Sequence, residues 1–145
     1  LPGILQELVA ITFPLVHYPF ARAQVAASLT ASPLNVIESR AASGTLNVQG
    51  VVMPFAGSLV SATANLSAAA SAGSLTLDVT INGVLSGFQV VLTVSASGYT
   101  IRDYGTVRFN AGDQLGVKIT TSAAWNGTTS DLLAMVLIIW DDARF

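Results

Sequence analysis

From Thr45 onward the chain alternates between apolar and polar positions. Leu46, Val48 and Val52 interleave with Thr45, Asn47 and Gln49, and Leu75, Leu77, Val79 and Ile81 interleave with Ser74, Thr76, Asp78 and Thr80. A period of two sends successive side chains to opposite faces of an extended backbone, so these segments read as half-buried strands. Gly57 to Leu66, Phe88 to Val94, Gly105 to Phe109, Leu115 to Thr121 and Leu132 to Trp140 are further strand candidates. Pro54, Ser71-Ala72-Gly73, Ser97-Gly98, Ala111-Gly112-Asp113 and Asn126-Gly127 punctuate them. Asn82-Gly83 is a two-residue hairpin signal, because both residues tolerate positive φ. A helix in the Ala-rich stretch Ala62 to Ala72 is disfavoured by Thr63, Asn65, Ser67, Ser71 and Gly73. Roughly eight short strands without a 3.6-residue pattern predict an all-β fold, an eight-stranded jelly-roll sandwich over residues 43–145.

Residues 1–42 follow another pattern. They hold Pro2, Pro14, Pro19 and Pro33 and only the charges Glu7, Arg22, Glu38 and Arg40. Prolines at that spacing interrupt helices and favour extended backbone, although a short helix over Gly3 to Ile11 is compatible with the sequence. The expectation is an extended N-terminal arm. It is too apolar for a solvated linker and must bury itself, either over its own domain or on neighbouring chains. Leu5, Leu8, Ile11, Phe13, Tyr18 and Phe20 are the candidate contacts.

The last strand is apolar on both faces. Leu132, Ala134, Val136, Ile138 and Trp140 point one way, and Leu133, Met135, Leu137 and Ile139 the other. One set belongs to the core, and the second meets other copies of the protein or lies beneath the arm. Leu133, Met135, Leu137 and Ile139, with Ile138 from the opposite set, are the candidate self-association residues.

Composition points the same way. The 145 residues are 52% hydrophobic and 10% charged, well under the roughly 25% charge of ordinary soluble chains, and mean hydropathy is +0.63. Such a chain should hide more surface than one domain of this size can. The apolar runs Leu132 to Trp140 and Ile4 to Val16 are too short or too interrupted to span a bilayer, which needs about 20 residues. No signal peptide is expected, since Leu1 to Phe20 contains no Lys or Arg. A net charge of −2 gives no electrostatic footprint for nucleic acid.

Candidate chemistry is sparse. Cysteine is absent and His17 is the single histidine, so neither a thiolate nucleophile nor a Cys-based zinc site is available. His17 reads as a packed or solvent-edged arm residue, or as a pH switch. Asp141-Asp142, or Asp103 with Asp113, are the carboxylate pairs in reach of glycosidase or calcium chemistry, but no clustered Asp/Asn/Gly loop supplies six to eight oxygen ligands. Asp113 instead reads as a turn-ordering residue. Asn65-Leu66-Ser67 and Asn126-Gly127-Thr128 match the glycosylation pattern. Trp125 is either a partner anchor or core packing. No catalytic residue, cofactor or metal ligand is assigned.

The stretches Val52-Met53-Pro54-Phe55-Ala56-Gly57-Ser58-Leu59, Gly73 through Gly83, and Phe109-Asn110-Ala111-Gly112-Asp113-Gln114-Leu115 with Trp125 resemble jelly-roll domains of tailed-phage structural proteins. These are similar to the trimeric sandwiches of the tumour-necrosis-factor and complement-head type. The resemblance covers about Leu46 to Trp140. With an apolar arm ahead of it, the whole chain looks most like a capsid decoration, or cement, protein. That resemblance implies a homotrimer on the outer surface of a virion capsid, bound to the major capsid protein and stabilising the expanded shell, with the arm contacting capsid or neighbouring subunits. The alternative is the receptor-binding head of a phage fibre, in which loops around Tyr99 to Tyr104 and Trp125 would recognise a cell-surface glycan. A fibre head is usually preceded by a heptad or collagen-like stalk, and this chain has none.

Overall fold

A computed structural model describes residues 15–36 and 48–141. Within them the chain forms β1 (Leu15–Arg22), β2 (Ser32–Pro33), β3 (Asn35–Val36), β4 (Val51–Val52), β5 (Gly57–Leu66), β6 (Ser74–Ile81), β7 (Val84–Thr93), β8 (Ser97–Ile101), β9 (Val107–Phe109), β10 (Gln114–Thr121) and β11 (Leu132–Trp140). The described residues contain no helix. All pairings are antiparallel and fall into two sheets. The first runs β3-β1-β11-β5-β8 with β9 continuing the β8 edge along β5; the second runs β2-β10-β6-β7 with β4 continuing the β2 edge along β10. The short early strands β1 to β4 alternate between the sheets, and the chain crosses again after β4, β5, β7, β9 and β10, a winding that fits a jelly-roll sandwich.

Alternation decides which side chains enter the space between the sheets. Leu59, Ala62, Ala64 and Leu66 of β5, Leu75, Leu77 and Val79 of β6, Phe88, Val90 and Leu92 of β7, Leu115, Val117 and Ile119 of β10, and Leu132, Ala134, Val136 and Ile138 of β11 are all buried there. The Asn82-Gly83 expectation holds: the two residues join β6 to β7 with φ of 54° and 80°, as a type I′ turn requires. The Ala-rich stretch is strand as far as Leu66, in line with its Thr and Asn content.

Two sequence expectations change. The first is the arm boundary at residue 42. β1 pairs with β11 along its whole length, from Leu15 opposite Ile139 to Arg22 opposite Leu132, and Phe20, Val25 and Leu34 are each 0% exposed. Residues 15–36 are therefore part of the sandwich. Their prolines fit the fold, because β3 covers β1 only at Phe20 and Ala21. Pro19 thus stands on a nearly free edge, where a missing N–H does least harm. Residues 1–14 and 37–47 lie outside the described residues.

The second change is Ser97-Gly98, which reads as a breaker but opens β8. A Cβ on Gly98 would stand 2.8 Å from Leu92 Cδ2, so glycine leaves the room that this Leu92 methyl occupies between the two sheets. Arg102, just past β8, caps this seam with its guanidinium 5.7 Å from the Phe88 ring centre.

Candidate functional site

The outward face of the first sheet departs from the usual pattern of a polar exterior. Register defines its rows. Leu15 stands beside Ile139 and Ser58; His17 beside Leu137, Ser61 and Ile101; Pro19 beside Met135, Thr63 and Tyr99; Ala21 beside Leu133, Asn65 and Ser97. Tyr99 is 72% exposed, Ile101 64%, Leu15 54% and Leu133 39%. Four strands about 4.8 Å apart and seven residues of about 3.4 Å each give a face of roughly 400 Å²; its apolar part is a stripe on β1 and β11, Leu15, Pro19, Ala21, Leu133, Met135, Leu137 and Ile139, which the Ser58, Ser61, Thr63 and Asn65 row of β5 separates from Tyr99 and Ile101 of β8.

A register shift between Leu137 and Ile138 keeps the face continuous. Val60 is the extra residue on β5, which lets Ser61 oppose Leu137 while Leu59 opposes Ile138. Its carbonyl accepts a hydrogen bond from Arg102 N at 3.0 Å, so the bulge adds no unpaired acceptor there.

One end of the face carries a polar rim. Arg108, outward on β9 beside Ser58, forms an ion pair with Asp141, and the Tyr104 hydroxyl donates to the same carboxylate. Gly105 N donates to Ser58 Oγ at 3.0 Å and fixes the intervening turn. The Tyr104 hydroxyl is pushed above its ordinary titration range, chiefly by its hydrogen bond to Asp141 and further by partial burial and the Asp141 charge. An apolar centre bounded by paired charges is the anatomy of a protein interface.

Leu133, Met135, Leu137 and Ile139 all lie on this face. Ile138 does not: it is 0% exposed and packs between the sheets, one residue out of phase with the others. Of the proposed arm contacts, Phe20 is a core residue, and Tyr18 is partly buried against that core, which raises its hydroxyl pKa. Leu5, Leu8, Ile11 and Phe13 lie outside the described residues.

Trp125 is 3% exposed, and its Nε1 donates to Val25 O at 3.0 Å. It is packed into the chain's own core and ties the β10–β11 connection to the segment after β1. Asn126 holds a neighbouring turn, its Oδ1 accepting from Ser71 N and Ala72 N. Among the described residues no three His, Asp or Glu side chains group as metal ligands, and Asp142 lies outside them. The sequence missed Tyr99 and Ile101 as members of the face. The alternation of Tyr99 and Ile101 with Thr100 was its available signal.

Asp113 does order its turn. Its carboxylate accepts from Asn110 N at 2.8 Å and from Asn82 Nδ2 at 3.0 Å, while Asn82 Oδ1 accepts from Gln114 N at 2.9 Å. The Asn110 backbone bond, then the Asn82 amide, hold the Asp113 carboxyl below the usual carboxylate range. A depressed folded pKa contributes stability above the unfolded value of about 3.9, and that contribution is lost as pH falls through the folded value. Asp113→Asn should therefore lower the melting temperature by a few degrees near pH 7. Scanning calorimetry should show the gap to the parent narrowing as pH falls below the ordinary carboxylate range.

No protein-family model matches this chain, and no curated protein matches its sequence.

Proposed function

We propose that the protein is a structural virion component, a capsid decoration protein that self-associates as a trimer and stabilises an expanded capsid shell from outside. The observation that carries the reading is the apolar stripe that β1 and β11 carry on the outward face of their sheet. A jelly roll needs one buried face per sheet. The outward β1–β11 stripe is apolar beyond that need, and a partner surface would cover it. Low charge content and the resemblance of the β4–β5, β6 and β9–β10 segments to phage jelly rolls support the same assignment.

The action is mechanical, with the major capsid protein as the second partner. Three linked copies that each contact the lattice bind together far more tightly than one, because the later contacts form at high effective concentration. A protein that binds the intact shell and not its dissociated parts stabilises that shell by mass action, by about 2.7 kcal/mol per site at a hundredfold excess over Kd.

Purified protein added to expanded tailed-phage capsids lacking it should raise the temperature at which they burst, and should saturate at a stoichiometry set by lattice symmetry. Unexpanded shells, with differently spaced sites, should bind little. Failure to bind capsids, together with adhesion to host cells that soluble glycans compete away, would replace this reading with that of a fibre head.

A further inference from the structure

The outward face of the second sheet holds a buried hydroxyl without a partner. The buried polar side chains among the described residues are Ser58, Asp78, Thr80, Thr121 and Ser130. All but Thr80 are hydrogen-bonded. Ser58 Oγ accepts from Gly105 N, the Asp78 carboxylate accepts from Ser86 N, Gly87 N and Gln89 Nε2, and Thr121 and Ser130 donate to the Ala26 and Ala68 carbonyls. Thr80 is 3% exposed, and its hydroxyl forms no hydrogen bond with a described residue. Folded chains rarely leave such a group unsatisfied, so a partner from outside the chain is expected.

Thr80 lines a recess of about 200 Å³ whose floor is β10. Gly116 stands opposite Thr80 in the ladder, and Lys118 stands opposite Asp78. A Cβ on Gly116 would lie 2.9 Å from Thr80 Oγ1 and 2.7 Å from the Gln49 carbonyl oxygen. A side chain there would close the space beside the hydroxyl.

Lys118 brings a charge to the same space. Its side chain starts two residues from the Thr80 row and reaches toward the β6–β7 turn, where Nζ donates to Gly83 O at 2.7 Å. Two ammonium protons remain for another acceptor. No carboxylate lines the recess. Asp78 is turned instead to the β7 bulge at Ser86-Gly87, where the three donors named above hold its oxygens, and it forms no ion pair with Lys118.

We propose that this recess binds a carboxylate group, with one oxygen on the Lys118 ammonium and the other on the Thr80 hydroxyl. One cation matches one negative charge, and the hydroxyl serves the second oxygen. The recess is smaller than the roughly 300 Å³ at which sites for drug-sized ligands begin, so the group it takes is small. Such a carboxylate comes either from a small free acid or from an Asp or Glu side chain of a partner protein. The site stands whether or not the protein decorates capsids.

Proton–nitrogen NMR of the full chain, titrated with acetate near neutral pH at constant ionic strength, tests the site. The Thr80, Gly83, Gly116 and Lys118 amide signals should shift together and saturate, with a dissociation constant on the order of millimolar. Acetamide, the neutral isostere, should not saturate them. Thr80→Val should weaken acetate binding about three- to tenfold, the worth of one hydrogen bond. Thr80→Ser should bind like the parent, and Lys118→Met should not bind. A blocked tripeptide with a central Glu that binds more tightly than acetate assigns the carboxylate to a partner protein, and one that binds more weakly assigns it to a free acid. Acetate shifts that never saturate, equal binding of acetamide, or undiminished binding by Thr80→Val overturns the proposal and leaves water as the partner of Thr80.

Discussion

Phe20→Ala should destabilise the fold by about 3–5 kcal/mol, the usual cost of emptying a buried phenylalanine site. That is a large share of the 5–15 kcal/mol that holds a typical domain together. The ring is 0% exposed, and its strand is hydrogen-bonded to the last one, so neither backbone nor neighbours can collapse freely into the gap. Removing residues 1–39 should have a larger effect. It deletes β1, uncovers the β11 edge, and takes away Val25 and Leu34 from the core and the Val25 carbonyl from Trp125 Nε1. The truncated chain should lose its near-ultraviolet dichroism and its cooperative thermal transition. A truncated domain that melts like the parent would show that residues 15–36 are dispensable packing.

Two adjacent substitutions on β11 should have opposite consequences. Leu137→Asp places a carboxylate on the outward face, where the single chain can hydrate it, so the monomer should fold with a melting temperature within a few degrees of the dissociated parent. On the proposed self-association through this face, assembly should be lost, because the charge would have to be buried unpaired between copies. Ile138→Asp places the same carboxylate between the sheets, and a penalty above about 4 kcal/mol should unfold the chain. Sedimentation with circular dichroism on the two variants separates the roles. Normal association of Leu137→Asp would remove this face from the self-contact.

Much of the sandwich is legible in the residues. The bounds of β5 and β11 follow from alternation and flanking breakers, and the β6–β7 hairpin follows from Asn82-Gly83. The misread parts share a cause, since the local signal was correct and the tertiary context gave it another meaning. Pro19 and Pro33 do favour extended chain, but extended chain beside a sheet edge is strand. Gly98 weakens a strand locally, yet in the fold its missing Cβ leaves room for Leu92 and Val90 of the facing sheet. Of the candidate face, the β11 residues are visible as a doubly apolar run. Ile138 could not be separated from Leu137 without knowing which phase of the alternation faces inward. The contribution of β1 and β8 depends on pairings between residues more than thirty positions apart, such as Thr63 with Tyr99, which no local pattern encodes.

The pairing of Leu15 with Ile139 also governs how the fold can be reached in time. The first described strand has no neighbour on its long side until the last has been synthesised. The first sheet must therefore close a loop of more than a hundred residues before its central pair is rewarded. Non-local closure of this kind slows folding. On the ribosome, β1 and β5 would wait with their apolar sides uncovered until β11 emerges to fill the place between them, an interval in which unpaired edges invite aggregation.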